Sequence, residues 1–197
     1  LLLDAFATIR SNHPDALLTV VGDGRDRPAL EAQAKTLGVA QAVTFAGYKT
    51  QTEVAALLEQ SDMLVLPSFA EGLPVVLMEA MASHIPVIAS RVAGVSELVE
   101  DGVTGFLVPP GDVATLAARL ADLLADPDLG QRMGQAGRQA VTAGFDIDQE
   151  AAWLLQILRG QTRPGDLRPQ ADAAICRLLY NTTSPRDRPQ PRMPACA

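Results

Sequence analysis

Asp62-Met-Leu-Val-Leu-Pro67-Ser-Phe-Ala-Glu71-Gly-Leu-Pro74-Val-Val-Leu-Met-Glu79-Ala-Met-Ala82 is the stretch that decides how this chain folds. Its first part, Asp62 to Pro67, is a short apolar block of the kind that forms a buried strand. Ser68 to Leu73 is a Gly-containing loop. Pro74 suits the first turn of a helix, where a missing N–H costs nothing and the ring already sets φ. Val75 to Ala82 continues as an apolar helix interrupted only by Glu79. The unit is strand, loop and helix N-terminus.

That order has consequences for ligands. A helix N-terminus directs unpaired N–H groups and a partial positive charge at whatever precedes it, which suits phosphate. Were residues 71–79 helical throughout, Glu71 and Glu79 would lie on the order of 12 Å apart, at ~1.5 Å rise per residue, and within about a quarter turn of each other. Carboxylates repel phosphate but accept hydrogen bonds from hydroxyls. A ligand with phosphate in the middle and hydroxyl-bearing rings at both ends fits this pattern, as in a nucleotide-diphosphate sugar. A plainer reading also stands, with Glu71 complementing the helix dipole and Glu79 solvated. The apolar flanks of Glu79 weigh against it, because a carboxylate in such a run is either partnered or at a site.

The 197 residues are 48% hydrophobic and 20% charged, enough for one sizeable core. Aromatic residues make up only 4%, so that core is built from Ala, Val, Leu and Ile. The formal net charge of -7 argues against nucleic acid as a general partner. Cys176 and Cys196 are the only cysteines, so no disulfide framework is indicated and a reducing, cytoplasmic setting is expected. No apolar run is long enough to span a bilayer. Leu1-Leu2-Leu3 lacks the charged flank and cleavage site of a signal peptide. There is no initiator Met, and the chain is expected to start within a longer sequence.

Along the chain, strand-like and helix-like segments alternate. Leu1 to Ile9 is a largely buried helix. Leu17 to Val21 is a strand, turned by Gly22-Asp23-Gly24 into a helix near Pro28 to Leu37. Val43 to Phe45 is a second strand, followed by the Gly47-Tyr48-Lys49 loop and a helix from Thr52 to Gln60. Met63 to Leu66 is the third strand, Ile85 to Ala89 the fourth and Gly105 to Val108 the fifth. A helical turn is expected over Val95 to Val99, and helices over Val113 to Ala125, Asp128 to Ala140 and Asp148 to Leu158. Such alternation, with strands that are continuous apolar runs, predicts an α/β, Rossmann-like parallel sheet with helices on both faces. Ligands bind beyond the carboxyl ends of such strands. The loops bearing Gly22 and Gly24, Gly47, Gly72 and Gly94 all fall there, so one site is expected.

Residues 160–197 are of another kind. They hold six of the 14 prolines and a charge of +3, against -10 for residues 1–159. This Pro/Arg-rich tail is expected to be disordered. Its positive charge would suit an anionic membrane surface, although a non-functional extension is the plainer reading.

The central stretch resembles the signature of retaining GT-B glycosyltransferases of family four, the glycosyl transferases group 1. Further segments fit in register: Val20-Val-Gly-Asp-Gly24, Val43-Thr-Phe-Ala-Gly47, and Val92-Ala-Gly-Val-Ser-Glu-Leu-Val-Glu-Asp-Gly-Val-Thr-Gly-Phe-Leu-Val-Pro-Pro-Gly-Asp112. The resemblance covers roughly residues 1–159 and is to the C-terminal, donor-binding half of such enzymes. It implies a hexosyltransferase that moves sugar from a nucleotide-diphosphate sugar to a glycan or lipid, with retention of anomeric configuration. Glu71, the candidate catalytic residue, would hold hydroxyls of the donor sugar. Backbone N–H groups around Gly72 and Leu73 would meet the sugar and diphosphate, with Gly94 and Val95 also near the diphosphate. Glu79 would accept hydrogen bonds from the ribose. Val43 to Lys49, including Gly47, Tyr48 and Lys49, would lie beside the base, and Gly22 and Gly24 would complete the donor side.

The same resemblance implies no cofactor beyond the donor and no metal. His13 and His84 indeed lack metal-ligand spacing, and His84 is expected in a surface turn, where the family often has Gly. It implies a cytoplasmic protein, with peripheral membrane association possible for the full-length enzyme and exopolysaccharide synthesis as a family-level setting. It also implies an N-terminal acceptor-binding domain outside these 197 residues. An Arg- and Lys-bearing strand and loop would precede Leu1, and that strand would be central in the sheet by analogy with doubly wound order. Arg10, Arg25 and Arg27 take no such role. The isolated chain is therefore expected to bind donor weakly and transfer nothing. A sugar-nucleotide epimerase and a non-catalytic nucleotide-binding or scaffold domain are the alternatives. Trp153, Leu154, Ile157 and Leu158 exceed the partners one domain offers, and are expected either to cross to another domain or to pack in this core.

Overall fold

The structure, a computed structural model, describes residues 1–161. The segment expected to be a disordered tail lies almost wholly outside the described residues. Two units are present, one over Leu1–Thr142 and one beginning at Ala143.

In the first unit, helix α1 (Leu2–Arg10) is followed by β1 (Leu18–Val21), α2 (Arg27–Thr36), β2 (Val43–Gly47) and α3 (Gln51–Glu59). Then come β3 (Leu64–Leu66), α4 (Val75–Ala82), β4 (Val87–Ser90), α5 (Val95–Leu98), β5 (Gly105–Val108), α6 (Val113–Ala125) and α7 (Pro127–Gly144). A single 3-10 turn at Ala40–Ala42, not anticipated from the sequence, leads into β2. All strand pairings within the two ladders are parallel, as helical crossovers require.

The parallel strands fall into two ladders, as the resemblance implies when a central strand lies outside these residues. β1 pairs only with β2, while β3, β4 and β5 form a separate ladder in that order. Both ladders nevertheless serve one core. Leu18, Val20 and Phe45 pack against the same cluster as Val65, and that cluster contains Ile88, Phe106, Val108, Leu116 and Leu120. α1 lies against α6 and feeds Leu3, Phe6 and Ile9 into it. Coverage on both faces holds for β4 and β5, whose residues are all buried, and fails for β1, where burial alternates. Alternating burial means that one face of β1 is turned to the core and the other to solvent, so period two replaces a continuous apolar run.

Two features around α4 explain its sharp ends. Pro74 is the N-cap in extended conformation, not a first-turn residue, so the helix starts at Val75 and residues 71–79 are not helical throughout. At the other end, His84 takes a left-handed backbone with φ 61, consistent with the turn expected there and unusual for a residue with a Cβ. α7 closes over this turn with small residues. A Cβ at Gly134 would collide with the His84 carbonyl, and one at Gly130 would sit 3.6 Å from Pro86 Cγ.

In the second unit, α8 (Ile147–Leu158) exposes Leu154, Leu155 and Leu158. Trp153 and Ile157 are half-buried.

Candidate functional site

The loops at the carboxyl ends of the strands meet in two backbone junctions. In the first, the loops after β1 and β2 are joined: Gly22 N–H donates to the Gly47 carbonyl at 2.9 Å. Both glycines have positive φ, 119 and 69, which residues with a Cβ adopt only with strain. Asp23 turns the first loop by accepting from Gly24 N–H at 2.9 Å. Arg27 braces the junction from α2, donating to the Phe45 carbonyl at 3.1 Å and to Glu31 at 2.8 Å.

In the second junction, the loops after β3 and β4 touch backbone to backbone. A Cβ on Gly94 would overlap the Gly72 carbonyl and stand 3.0 Å from Leu73 N. Only glycine permits this approach. It sits directly before α4, whose cap Pro74 provides no side-chain acceptor for the first-turn N–H groups. Glu71 is half-buried on the same loop.

A side-chain hydrogen bond connects the two junctions. Gln51 Nε2, at the start of α3, donates to Glu79 Oε1 on α4 at 3.0 Å. Gln51 is placed by a capping box one residue earlier. Thr50 accepts from Glu53 N–H through its hydroxyl, and Glu53 accepts from Thr50 N–H at 2.9 Å. Lys49 Nζ adds an ion pair to Glu53 at 3.0 Å. The Thr50 N–H first, and then Lys49, hold the Glu53 carboxyl down at about 2.

Several sequence-identified residues therefore fall into the two junctions. Gly22 and Gly47 form the first and Gly72 and Gly94 the second, with Leu73 beside it. Gly24 has open space around it and no positive φ, so its role is looser. Tyr48 is 80% exposed at the end of β2 and available for stacking. Lys49 faces Glu53 in the ion pair just described. The Val95 side chain is in the core at 1% exposure, which leaves only its backbone to meet a ligand. The sequence reading missed Gln51. Its signal was the Thr50-Gln-Thr-Glu53 capping box, which marks where α3 begins. It also missed Phe69, 71% exposed on the loop after β3 and adjacent to Gly111.

Among the described residues, no group of three His, Cys, Asp or Glu is placed to hold a metal ion. No helix among them is long and apolar enough to cross a membrane.

The family profile of the glycosyl transferases group 1 matches residues 1–140, and the chain belongs to this family. It is 37% identical over 175 residues to a glycogen synthase of Mycobacterium tuberculosis, covering 87% of this chain and 42% of that protein. Among solved structures, it resembles the C-terminal domain of a glycosyl transferase group 1 family protein (LpcC) from Francisella tularensis. That match has 28% identity and a TM-score of 0.69, covering 74% of this chain and 78% of the other. It also resembles Anabaena Alr3699/HepE, solved in complex with UDP-glucose. There the identity is 28% and the TM-score 0.74, with 81% and 44% of the two chains covered. The fold is thus that of a GT-B C-terminal domain. The chain spans about two fifths of the length of the curated relatives it matches.

Proposed function

We propose that this chain is the donor-binding domain of a retaining glycosyltransferase, and that it binds a nucleotide-diphosphate sugar across the two junctions. The observation that carries the reading is the contact of Gly94 with Gly72 ahead of the open α4 N-terminus. Two loops brought that close present backbone N–H groups together with a helix dipole, a cradle for a diphosphate. Glu71, on the same loop as Gly72, would accept hydrogen bonds from hydroxyls of the transferred sugar. Glu79, one turn into α4, would accept those of the ribose, and the Gly47–Lys49 loop with Tyr48 would border the base. The UDP-glucose bound by the Anabaena neighbour supports this ligand class.

The proposed chemistry moves the hexosyl group from the diphosphate to a glycan or lipid hydroxyl, with the leaving charge stabilised by aligned N–H groups and by cations from a further segment. It calls for no metal. The open edges of β1 and β3 suit pairing with a further strand of such a segment. Acceptor binding would likewise come from elsewhere in a longer protein, so the 197-residue chain alone would bind donor without transferring sugar.

Calorimetry with UDP-, GDP- and ADP-sugars tests the proposal. One of them should bind, and Glu79→Ala should weaken it by about tenfold, the size of a lost charge-assisted contact. Absence of binding by all three would overturn the reading in favour of a scaffold role. Detectable transfer by the chain alone would show that its site is complete.

A further inference from the structure

We infer that Gln51 is a positioning residue for ribose recognition, acting through Glu79; the inference rests on the donor-site reading above. Glu79 lies in an otherwise apolar helix and is half-buried. A flexible carboxylate there would sample several rotamers and lose entropy on meeting a ligand. Gln51 removes that freedom. Its Nε2 donates to Oε1 of Glu79 at 3.0 Å across 28 residues of sequence. The polarity of the contact is set by chemistry, because a carboxylate has only lone pairs to offer and the amide must present its NH2 side.

The donor occupies one lone-pair direction of Oε1 and leaves Oε2 open to a hydroxyl. A neutral amide does this without cancelling the negative charge, which a lysine would do. Gln51 is itself held, as the first residue of α3 directly behind the Thr50–Glu53 capping box. The contact therefore ties the start of α3, next to the base-side loop, to the carboxylate on α4 before the ligand arrives.

The test uses the full 197-residue chain with UDP, GDP and ADP and their 2'-deoxy counterparts, measured by calorimetry for the parent, Gln51→Ala and Gln51→Glu. Circular dichroism melts confirm that each variant is folded. The parent should prefer its best ribonucleotide over the deoxy form by about tenfold, as one hydrogen bond to a charged group allows. Gln51→Ala should reduce ribonucleotide affinity by about fivefold while barely changing the deoxy form, collapsing the preference. Gln51→Glu should reduce it further, because a second carboxylate beside Glu79 repels it. A merely structural tether gives equal losses for ribo- and deoxy-nucleotide, and that result overturns the inference, as does an unchanged preference in Gln51→Ala. A parent that binds both forms equally removes the ribose role of Glu79 and the inference while leaving nucleotide binding intact. A parent that binds no nucleotide overturns the donor-site reading itself.

Discussion

The β3–β4–β5 ladder and the β1–β2 ladder carry the two halves of the proposed donor site on supports of different firmness. β4 has a strand on each side, and Val87, Ile88 and Ala89 are wholly buried. β1 has a strand on one side only, and Val21 at its end is 43% exposed. A two-stranded ladder is marginal by itself, whereas a three-stranded one packed on helices is not. The Gly72–Gly94 junction, proposed for the diphosphate and sugar, hangs from the firm ladder. The Gly22–Gly47 junction, proposed for the base side, hangs from the softer one. On the proposed reading, chemistry that needs fixed geometry would sit on the firmer ladder, and recognition of a flat base on the other.

The sharpest way to break this comparison is to hollow each ladder. Ile88→Ala should cost about 3–4 kcal/mol of stability in urea unfolding, the range for a fully buried aliphatic side chain. Val20→Ala, at a half-buried position of β1, should cost about 1 kcal/mol. Equal losses would mean that the two ladders are equally firm.

Next in size is a pair of glycine changes. Gly94→Ala drives a Cβ into the Gly72 backbone and should cost about 1–3 kcal/mol, as overpacking does. It should also lower nucleotide affinity by at least about tenfold if it costs the cradle one charge-assisted contact. Gly24→Ala meets open space and should leave both melting temperature and affinity near the parent values.

The smallest effect concerns the cap of α3. The Glu53 carboxyl titrates at about 2 in the folded chain against 4.5 unfolded. Its contribution to stability is therefore complete above 4.5 and fades as the pH falls towards 2, because the unfolded chain takes up the proton first. In Glu53→Gln the melting temperature should fall less over that interval than in the parent. An identical fall in both would show that the capping box does not survive in solution.

Much of this was legible in the chain itself. The alternation of apolar runs with amphipathic segments placed all five strands and the helices of the first unit to within a few residues, because burial imposes a period on the sequence. The gathering of the loop glycines was legible for a different reason: strands of a parallel α/β fold deliver their C-terminal loops to one end. What stayed illegible was pairing across distance. Nothing local shows that Gly94 must be glycine because of Gly72, or that Gln51 meets Glu79, since each constraint comes from a partner far along the chain. The split between β1 and β3 was legible only through the resemblance, which implies a further central strand, because a strand's own residues do not record whether both its edges are paired.

The sequence by itself therefore determined the elements, their parallel order and the family, since these follow from local periodicity and from motifs read in register. Only the tertiary structure decided which strands pair and that the loops close into two backbone junctions. It also decided that an amide on α3 holds the carboxylate on α4. Those outcomes depend on the distances between residues remote in sequence, which packing alone sets.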